Sequence, residues 1–499
     1  MKFTITSFTG KYFFMALALF LSFICLSPPA AVSAEERSVI VGFHHKPGPS
    51  EQTLIHASGG SIHRTFRMIP AITTRVPEHA LAGLCRNPHV EYVEEDSTVS
   101  IIDPYYLTAL STDLPDGSGF EYENSWGVQH IGCEAIHNLY TKGSGIKIAV
   151  IDTGIDYTHE DLSGNYCGGY DIIFNDDDPF DDSWNSHGTH MAGIIAAEAN
   201  GIGVVGVAPE ASLYAVKVMD GAGFGTLSGI IAGIEWAVDN NMDIANISIA
   251  GPDSQALKDA CDAACDAGLL LVAAAGNTYG GNVTYPAAYD SVIAVTATDQ
   301  EDQPADSAPL GPELELAAPG VNILSAAKND GYAELSGTSQ AASHVTGTAA
   351  LMMSAGMVNN HDIRQRLQAT AIDLGDDGPD NQYGYGLLDA ATAAIPDVVI
   401  DLVTLAEGTG NIIGSGFGDY MDTETGAFVT TTQTIGKGRR ATTVMTTEPC
   451  AIISWTDTQI VVECDATSGT IEVYSVYGTA FFDVACNDRP VKRPKKRKK

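Results

Sequence analysis

Three short segments carry side chains that together make an activated nucleophile. Val150-Ile151-Asp152-Thr153-Gly154 ends an apolar run on a carboxylate. His187-Gly188-Thr189-His190 sets a histidine ahead of an Ala-rich stretch, and Ser336-Gly337-Thr338-Ser339-Gln340 exposes a serine ahead of another. A serine hydroxyl attacks poorly until a base takes its proton, and a carboxylate must hold that base in one tautomer. Alone, each segment says little: Asp-Thr-Gly is commonly a turn, and a serine after glycine commonly caps a helix. The order Asp152, His187, Ser339, with spacings of 35 and 152 residues, is far more specific. Ala273-Ala274-Ala275-Gly276-Asn277 ends another apolar run, where an amide can donate to a developing oxyanion. The chemistry implied is acyl transfer through serine. His190 and His344 compete with His187 as the base.

These groups need a frame that brings distant positions together. From about Ser125 to Ala394, buried apolar strands alternate with helical patterns. Ile146–Ile151, Ser212–Val218, Ile244–Ile249, Leu269–Ala274 and Ser291–Thr296 read as strands; Gly229–Asn240 and Gln255–Ala267 read as helices. That alternation predicts an α/β domain with a parallel sheet, and the acidic residue ending a strand then lies at the carboxyl edge, where open α/β folds place their sites. Residues 38–98 read as a small α+β unit, and 103–120 as a polar linker. Residues 397–486 lose helical periodicity and read as a small β-sandwich.

The four chemical segments resemble the subtilisin family of serine endopeptidases. The resemblance runs over about Ser125 to Ala394 and includes Gly206-Val207-Ala208-Pro209, Gly233-Ile234-Glu235-Trp236-Ala237 and Ala317-Ala318-Pro319-Gly320. It implies that Asp152 orients, His187 acts as base, Ser339 attacks, and Asn277 joins the Ser339 backbone N–H in an oxyanion hole. It singles out His187, leaving His190 and His344 as supports. Gly223-Phe224-Gly225 and Ser248-Ile249-Ala250 resemble the two backbone edges that pair with an extended peptide. Ala274, Ala275 and Gly276 would line the main specificity pocket, with Asn282–Pro286 across it. No carboxylate falls in these segments, so a bulky apolar side chain is expected before the scissile bond. Two positions depart from the family pattern: Gln340 stands for a methionine and Ser343 for a proline, and neither supplies a catalytic atom.

The resemblance also implies calcium. Glu198, Asn200, Ile202 and Val204 match a loop that binds the ion through carbonyls and an asparagine side chain, and Asp161 matches a distant carboxylate ligand. The family's N-terminal glutamine ligand has no evident counterpart near Tyr122 or Glu123. Asn175–Asp182 holds five carboxylates in eight residues, readable as a second cation site or as a solvated loop. Residues 35–120 resemble an inhibitory propeptide with its linker, cut between about 103 and 120, with Phe120 a candidate last residue. Residues 121–396 are the peptidase domain. Residues 397–486 resemble an immunoglobulin-like IPT/TIG module through Ile413–Gly418 and Ser454–Ile460.

Composition narrows the partners. With 26 basic and 62 acidic side chains the net charge is −36, which repels nucleic-acid phosphate. Lys2 and Lys11 precede an apolar run from Tyr12 to Leu26, and Val32-Ser33-Ala34 fits a signal-peptidase site, so residues 1–34 read as an export signal. The run is short for a membrane anchor, which needs ~20 apolar residues. Residues 487–499 form a basic tail, either a solubilising end or an anchor to an anionic surface, and the β module is a candidate binder of a surface polymer or protein. Seven cysteines follow the propeptide, an odd count. Cys261 and Cys265, four apart on a helix, suit buried thiols better than a disulfide. The expected protein is a secreted endopeptidase acting on proteins and peptides, with its propeptide as inhibitor; the alternative is a catalytically silent binding protein on the same scaffold.

Overall fold

The computed structural model describes residues 35–101, 110–111 and 121–395, and eight strands between 399 and 484. The export signal, Phe120 and the basic tail lie outside the described residues. Two units separate: residues up to 95 without Phe66–Ile69, and the remainder.

The first unit is α+β, as expected. Its antiparallel sheet runs Ser61–Thr65, Ala71–Pro77, Glu36–Phe43, Val90–Glu95 in spatial order, with helices Pro49–Ala57 and Glu78–Leu84. Val39, Val41 and Phe43 alternate along the central strand and form its core with Ile55, Ile72, Val76 and Leu84.

The second unit is built on seven parallel strands: Lys147–Asp152 (β1), Tyr166–Asp171 (β2), Ser212–Lys217 (β3), Ile244–Ile247 (β4), Leu270–Ala274 (β5), Ile293–Thr298 (β6) and Leu316–Pro319 (β7). Their spatial order is β7-β6-β5-β4-β1-β3-β2, with every pairing parallel. The unbroken apolar runs of β1 and β5 follow from helices covering both faces. Those helices include His187–Ala196 (α1), Leu227–Asp239 (α2), Gln255–Asp266 (α3) and Thr338–Ser354 (α4). Small residues let α1 and α4 pack closely against the loops around them: a Cβ on Gly188 would sit 2.1 Å from the Gly154 carbonyl, and one on Gly347 2.4 Å from Val207. Cys261 is buried in α3 and Cys265 half-buried, both free thiols.

The stretch 244–249 is not one strand. It splits at Ser248, whose hydroxyl takes a bond from Asn246 (3.2 Å) and reaches the Ser339 carbonyl (3.5 Å). Ile249–Ala250 then leaves the parallel sheet for a separate antiparallel one. Beyond 398 the eight strands form two four-stranded antiparallel sheets.

Candidate active site

Asp152 is the last residue of β1 and His187 the first of α1. His187 Nδ1 lies 2.7 Å from Asp152 Oδ1, both side chains fully buried. The Thr153 N–H donates to the same oxygen at 2.7 Å. Ser339 is the second residue of α4 and is also buried, at the positive end of the helix dipole. Asn277 follows β5. Its Oδ1 accepts from Thr338 N–H (3.1 Å) and, more distantly, from the hydroxyls of Thr338 and Ser307 (both 3.4 Å). Its Nδ2 is buried without a hydrogen-bond partner, beside Gly337. Glycine is required at 337, because a Cβ there would fall 2.7 Å from that nitrogen. Asp152 and His187 thus meet beyond the carboxyl end of β1, and Asn277, beyond that of β5, lies against the Gly337–Thr338 turn that precedes Ser339.

The three histidines are equally buried and differ in their partners: His187 faces a carboxylate, His190 and His344 face backbone carbonyls. His190 and His344 are fully buried, and desolvation pushes their pKa values down to about 3 and about 4. Both are tied to backbone carbonyls, His190 to Ile323 and Ala333, His344 to Gln340. Gln340 is buried, with neither amide atom hydrogen-bonded.

Two supports escaped the sequence reading. Asp181 is buried and accepts from Thr153 Oγ1 (3.1 Å), Ser183 N and Oγ (3.0 and 2.6 Å), and Thr189 N and Oγ1 (3.1 and 2.7 Å). It ties the residue after Asp152 to the first turn of α1. Lys217, buried at the end of β3, donates to the Thr153 carbonyl (2.6 Å) and pairs with Asp182 (2.7 Å). The acidic stretch 175–182 therefore disperses: Asp181 turns inward, Asp182 meets Lys217, and Asp178 accepts from Tyr157. Among the described residues no cluster of acidic, His or Cys side chains gathers as a cation site there.

The two expected substrate edges are Phe224–Thr226, preceded by Gly223, and Ile249–Ala250. A strand of the chain itself, Thr98–Ile101, lies antiparallel between them, pairing Ser100 with Phe224 and Ala250, Val99 with Gly225, and Ile101 with Ile249. The Ile101 N–H donates to the Gly223 carbonyl at 3.0 Å. Ala274 and Ala275 are buried, and Thr284 crosses next to Gly276, donating from its N–H to the Ala275 carbonyl (2.9 Å). Gly251 and Tyr285 pair through their backbones on the same side.

Of the expected calcium ligands, Asp161, Glu198, Asn200 and Val204 come together. Asp161 is buried, accepts from Asn200 Nδ2 (3.1 Å), Val204 N (3.1 Å) and Tyr332 Oη (2.8 Å), and its backbone carbonyl accepts from Glu198 N–H (2.8 Å). The Ile202 N–H closes the turn on Asn200 Oδ1 (3.0 Å). Burial pushes the Asp161 carboxyl pKa upward, and no Lys or Arg among the described residues pairs with it. The groups turned toward this buried carboxylate are N–H and O–H donors, and the Asn200 amide oxygen faces the Ile202 N–H instead. From the N-terminal side it is Glu121, not Tyr122 or Glu123, that reaches this loop, accepting from Gly201 N–H at 2.6 Å.

Known proteins are similar to this chain. Residues 143–386 match the Subtilase family, peptidase S8. Subtilisin NAT of Bacillus subtilis subsp. natto is 40% identical over 395 residues, 77% of this chain and 97% of that one. Minor extracellular protease Epr of Bacillus subtilis (strain 168) is 38% identical over 378 residues, and the match covers 75% of this chain but only 57% of Epr. Fervidolysin from Fervidobacterium pennivorans, a keratinolytic enzyme related to subtilisin, superimposes with a TM-score of 0.65 at 25% identity, over 88% of this chain and 71% of its own. The chain belongs to the subtilase family and is a subtilisin-like serine endopeptidase.

Proposed function

We propose that the chain is a secreted, broad-specificity endopeptidase working through Asp152, His187 and Ser339. The carrying observation is the buried 2.7 Å contact of His187 Nδ1 with Asp152, beside an Asn277 amide whose oxygen is tied down and whose Nδ2 is left to donate. Asp152 holds His187 so that Nε2 takes the Ser339 proton as Oγ attacks the peptide carbonyl. Asn277 Nδ2 and the Ser339 N–H receive the oxyanion, His187 returns the proton to the leaving amine, and water releases the acyl-enzyme. Casein tests the reading: hydrolysis that a serine-directed inhibitor stops supports it, and an uncut substrate favours the silent binding protein.

Specificity follows from a pocket formed by residues 274–276 and 282–286, segments that carry no carboxylate. Peptides with Phe, Tyr, Leu or Met before the scissile bond are expected to show kcat/KM at least ~10-fold above those with Lys or Arg, a peptide library being the measurement, since an unpaired buried cation is costly. A preference for Arg would refute it.

Residues 35–102 act as the inhibitory propeptide. Strand pairing of Thr98–Ile101 between the two substrate edges is what a product-like tail would make, and it favours a cut beside Ile102 over one at Phe120. The description of Epr as an extracellular protease supports export. The IPT/TIG reading of 397–486, and its binding of a surface polymer or protein, rest on the short motifs alone.

Asp161, Asn200 and the carbonyls of Glu198, Ile202 and Val204 would hold calcium, joined by Glu121. A metal bound only by the folded state stabilises it by ~2.7 kcal/mol at a hundredfold excess over Kd. Chelation is therefore expected to lower Tm by ~5–10 °C in inhibited enzyme, and Asp161→Ala to remove that calcium-dependent part. An equal Tm with and without chelator would refute the site.

A further inference from the structure

Asp152 ends β1 and His187 begins α1, 35 positions further along the chain. Their contact lasts only while these two element ends keep their relative position. Yet α1 starts without a cap of its own. Ser186 stands at the cap position with φ 57°, and its side chain accepts nothing from the helix. The first-turn N–H groups go instead to residues outside the helix. Gly188 N–H donates to Thr153 Oγ1 (2.9 Å), and Thr189 N–H to Asp181 Oδ2 (3.1 Å). Thr153 Oγ1 in turn donates to Asp181 Oδ1 (3.1 Å), and Thr189 Oγ1 to Oδ2 (2.7 Å). A closed ring of covalent and hydrogen bonds therefore runs from Asp152 through Thr153, Asp181 and Thr189 back to His187. All five of these residues are 0% exposed.

Asp181 is itself anchored. Ile155 N–H donates to the Pro179 carbonyl (3.1 Å), and Asp181 N–H donates back to the Ile155 carbonyl (3.3 Å). Glycine at 154 admits this approach, since a Cβ there would fall 2.5 Å from the Pro179 oxygen. Ser183 adds its N–H (3.0 Å) and hydroxyl (2.6 Å) on Asp181 Oδ1. Five donors thus converge on two oxygens, and a carboxylate is the side chain that only accepts. Two of the donors are backbone N–H groups that cannot turn away, Ser183 on Oδ1 and Thr189 on Oδ2. An amide at 181 would turn its NH2 toward one of them. The nearby cations stop short: Lys217 Nζ goes to Asp182 and the Thr153 carbonyl, Lys328 Nζ to the Ser183 carbonyl. Among the described residues no Lys or Arg pairs with Asp181, so its accepting capacity is spent on the ring.

We propose that Asp181 is a positioning residue for the base: it locks the start of α1 to the end of β1 and so holds His187 Nδ1 on Asp152. This rests on the proposed role of His187. A displacement of about 1 Å at the reacting groups can cost ~100-fold in rate, so the effect belongs in kcat. None of the Asp181 bonds reaches the substrate edges at 223–226 and 249–250.

Asp181→Asn tests it, with each rate counted per serine titrated by an active-site reagent. On a chromogenic peptide kcat is expected to fall roughly 10- to 100-fold, with KM within about twofold of wild type. The low-field proton resonance of the His187–Asp152 bond is expected to move or broaden in the same variant. A loss of stability alone would leave that resonance in place in the folded fraction. Thr189→Val removes one hydroxyl from the ring and Thr189→Ser keeps it, so this pair carries the test if Asp181→Asn does not fold. There kcat is expected to fall about threefold or more in the valine variant and to be kept in the serine variant. Wild-type kcat per titrated serine with an unmoved resonance in Asp181→Asn overturns the positioning role, as does equal kcat for valine and serine at 189. A wild type in which the reagent labels no serine overturns instead the peptidase reading, and the role of Asp181 with it.

Discussion

Ser339→Ala is expected to lower kcat on a chromogenic peptide by ~10⁶, the loss known for subtilisin when its nucleophile is removed. The methyl group keeps the helix start packed but carries no lone pair to attack with. His187→Ala is expected to cost about as much, and the double variant little more, because nucleophile and base act as one unit. Neither change touches the substrate edges at 223–226 and 249–250, so KM is expected to move far less than kcat. The same variants are expected to accumulate as an uncut chain beginning near Glu35, which N-terminal sequencing reads directly. Near-normal turnover by Ser339→Ala would remove the serine from the mechanism.

The candidate residues stood out in the sequence because each sits where local pattern changes. Asp152 ends an apolar strand and Asn277 follows one, and His187 and Ser339 stand at the starts of helices rich in small residues. The parallel sheet was legible for a similar reason: strands buried on both faces leave unbroken apolar runs. What escaped was whatever depends on long-range pairing of polar groups. Asp181 lay in an acidic stretch that reads equally as a solvated loop, and only the fold shows it bound to Thr153 and Thr189. Lys217 looked like a polar strand end; its role comes from a carbonyl 64 positions away. Glu121 is one acid among several until Gly201 arrives. Thr98–Ile101 has the alternation of any short strand, and its partners lie more than 120 positions downstream. The split of 244–249 depended on those same partners. Periodicity reports burial of a face; it does not report which distant edge a strand will pair with.

Asn277→Ala is expected to lower kcat by ~10²–10³ with KM little changed, the magnitude known for subtilisin's own oxyanion-hole asparagine. The amide is oriented before any substrate arrives. Thr338 N–H donates to Oδ1 at 3.1 Å, which leaves Nδ2 buried, unpartnered and facing the Gly337 backbone two residues from the nucleophile. A buried donor without an acceptor costs stability in the resting enzyme, of order 1–3 kcal/mol. An acceptor that appears only as the carbonyl oxygen gains charge satisfies it in the transition state, which is the condition for raising kcat and not merely tightening binding. Alanine removes that donor and also the acceptor that holds Thr338 N–H, so the start of α4 loses one tether. Asn277→Asp separates the two effects: it keeps an oxygen toward Thr338 but offers the oxyanion a negative charge in place of an N–H. Its kcat is expected to fall at least as far as that of alanine while its Tm stays closer to wild type. Equal kcat for wild type and both variants would take Asn277 out of the oxyanion hole and leave it a purely structural tether of Thr338.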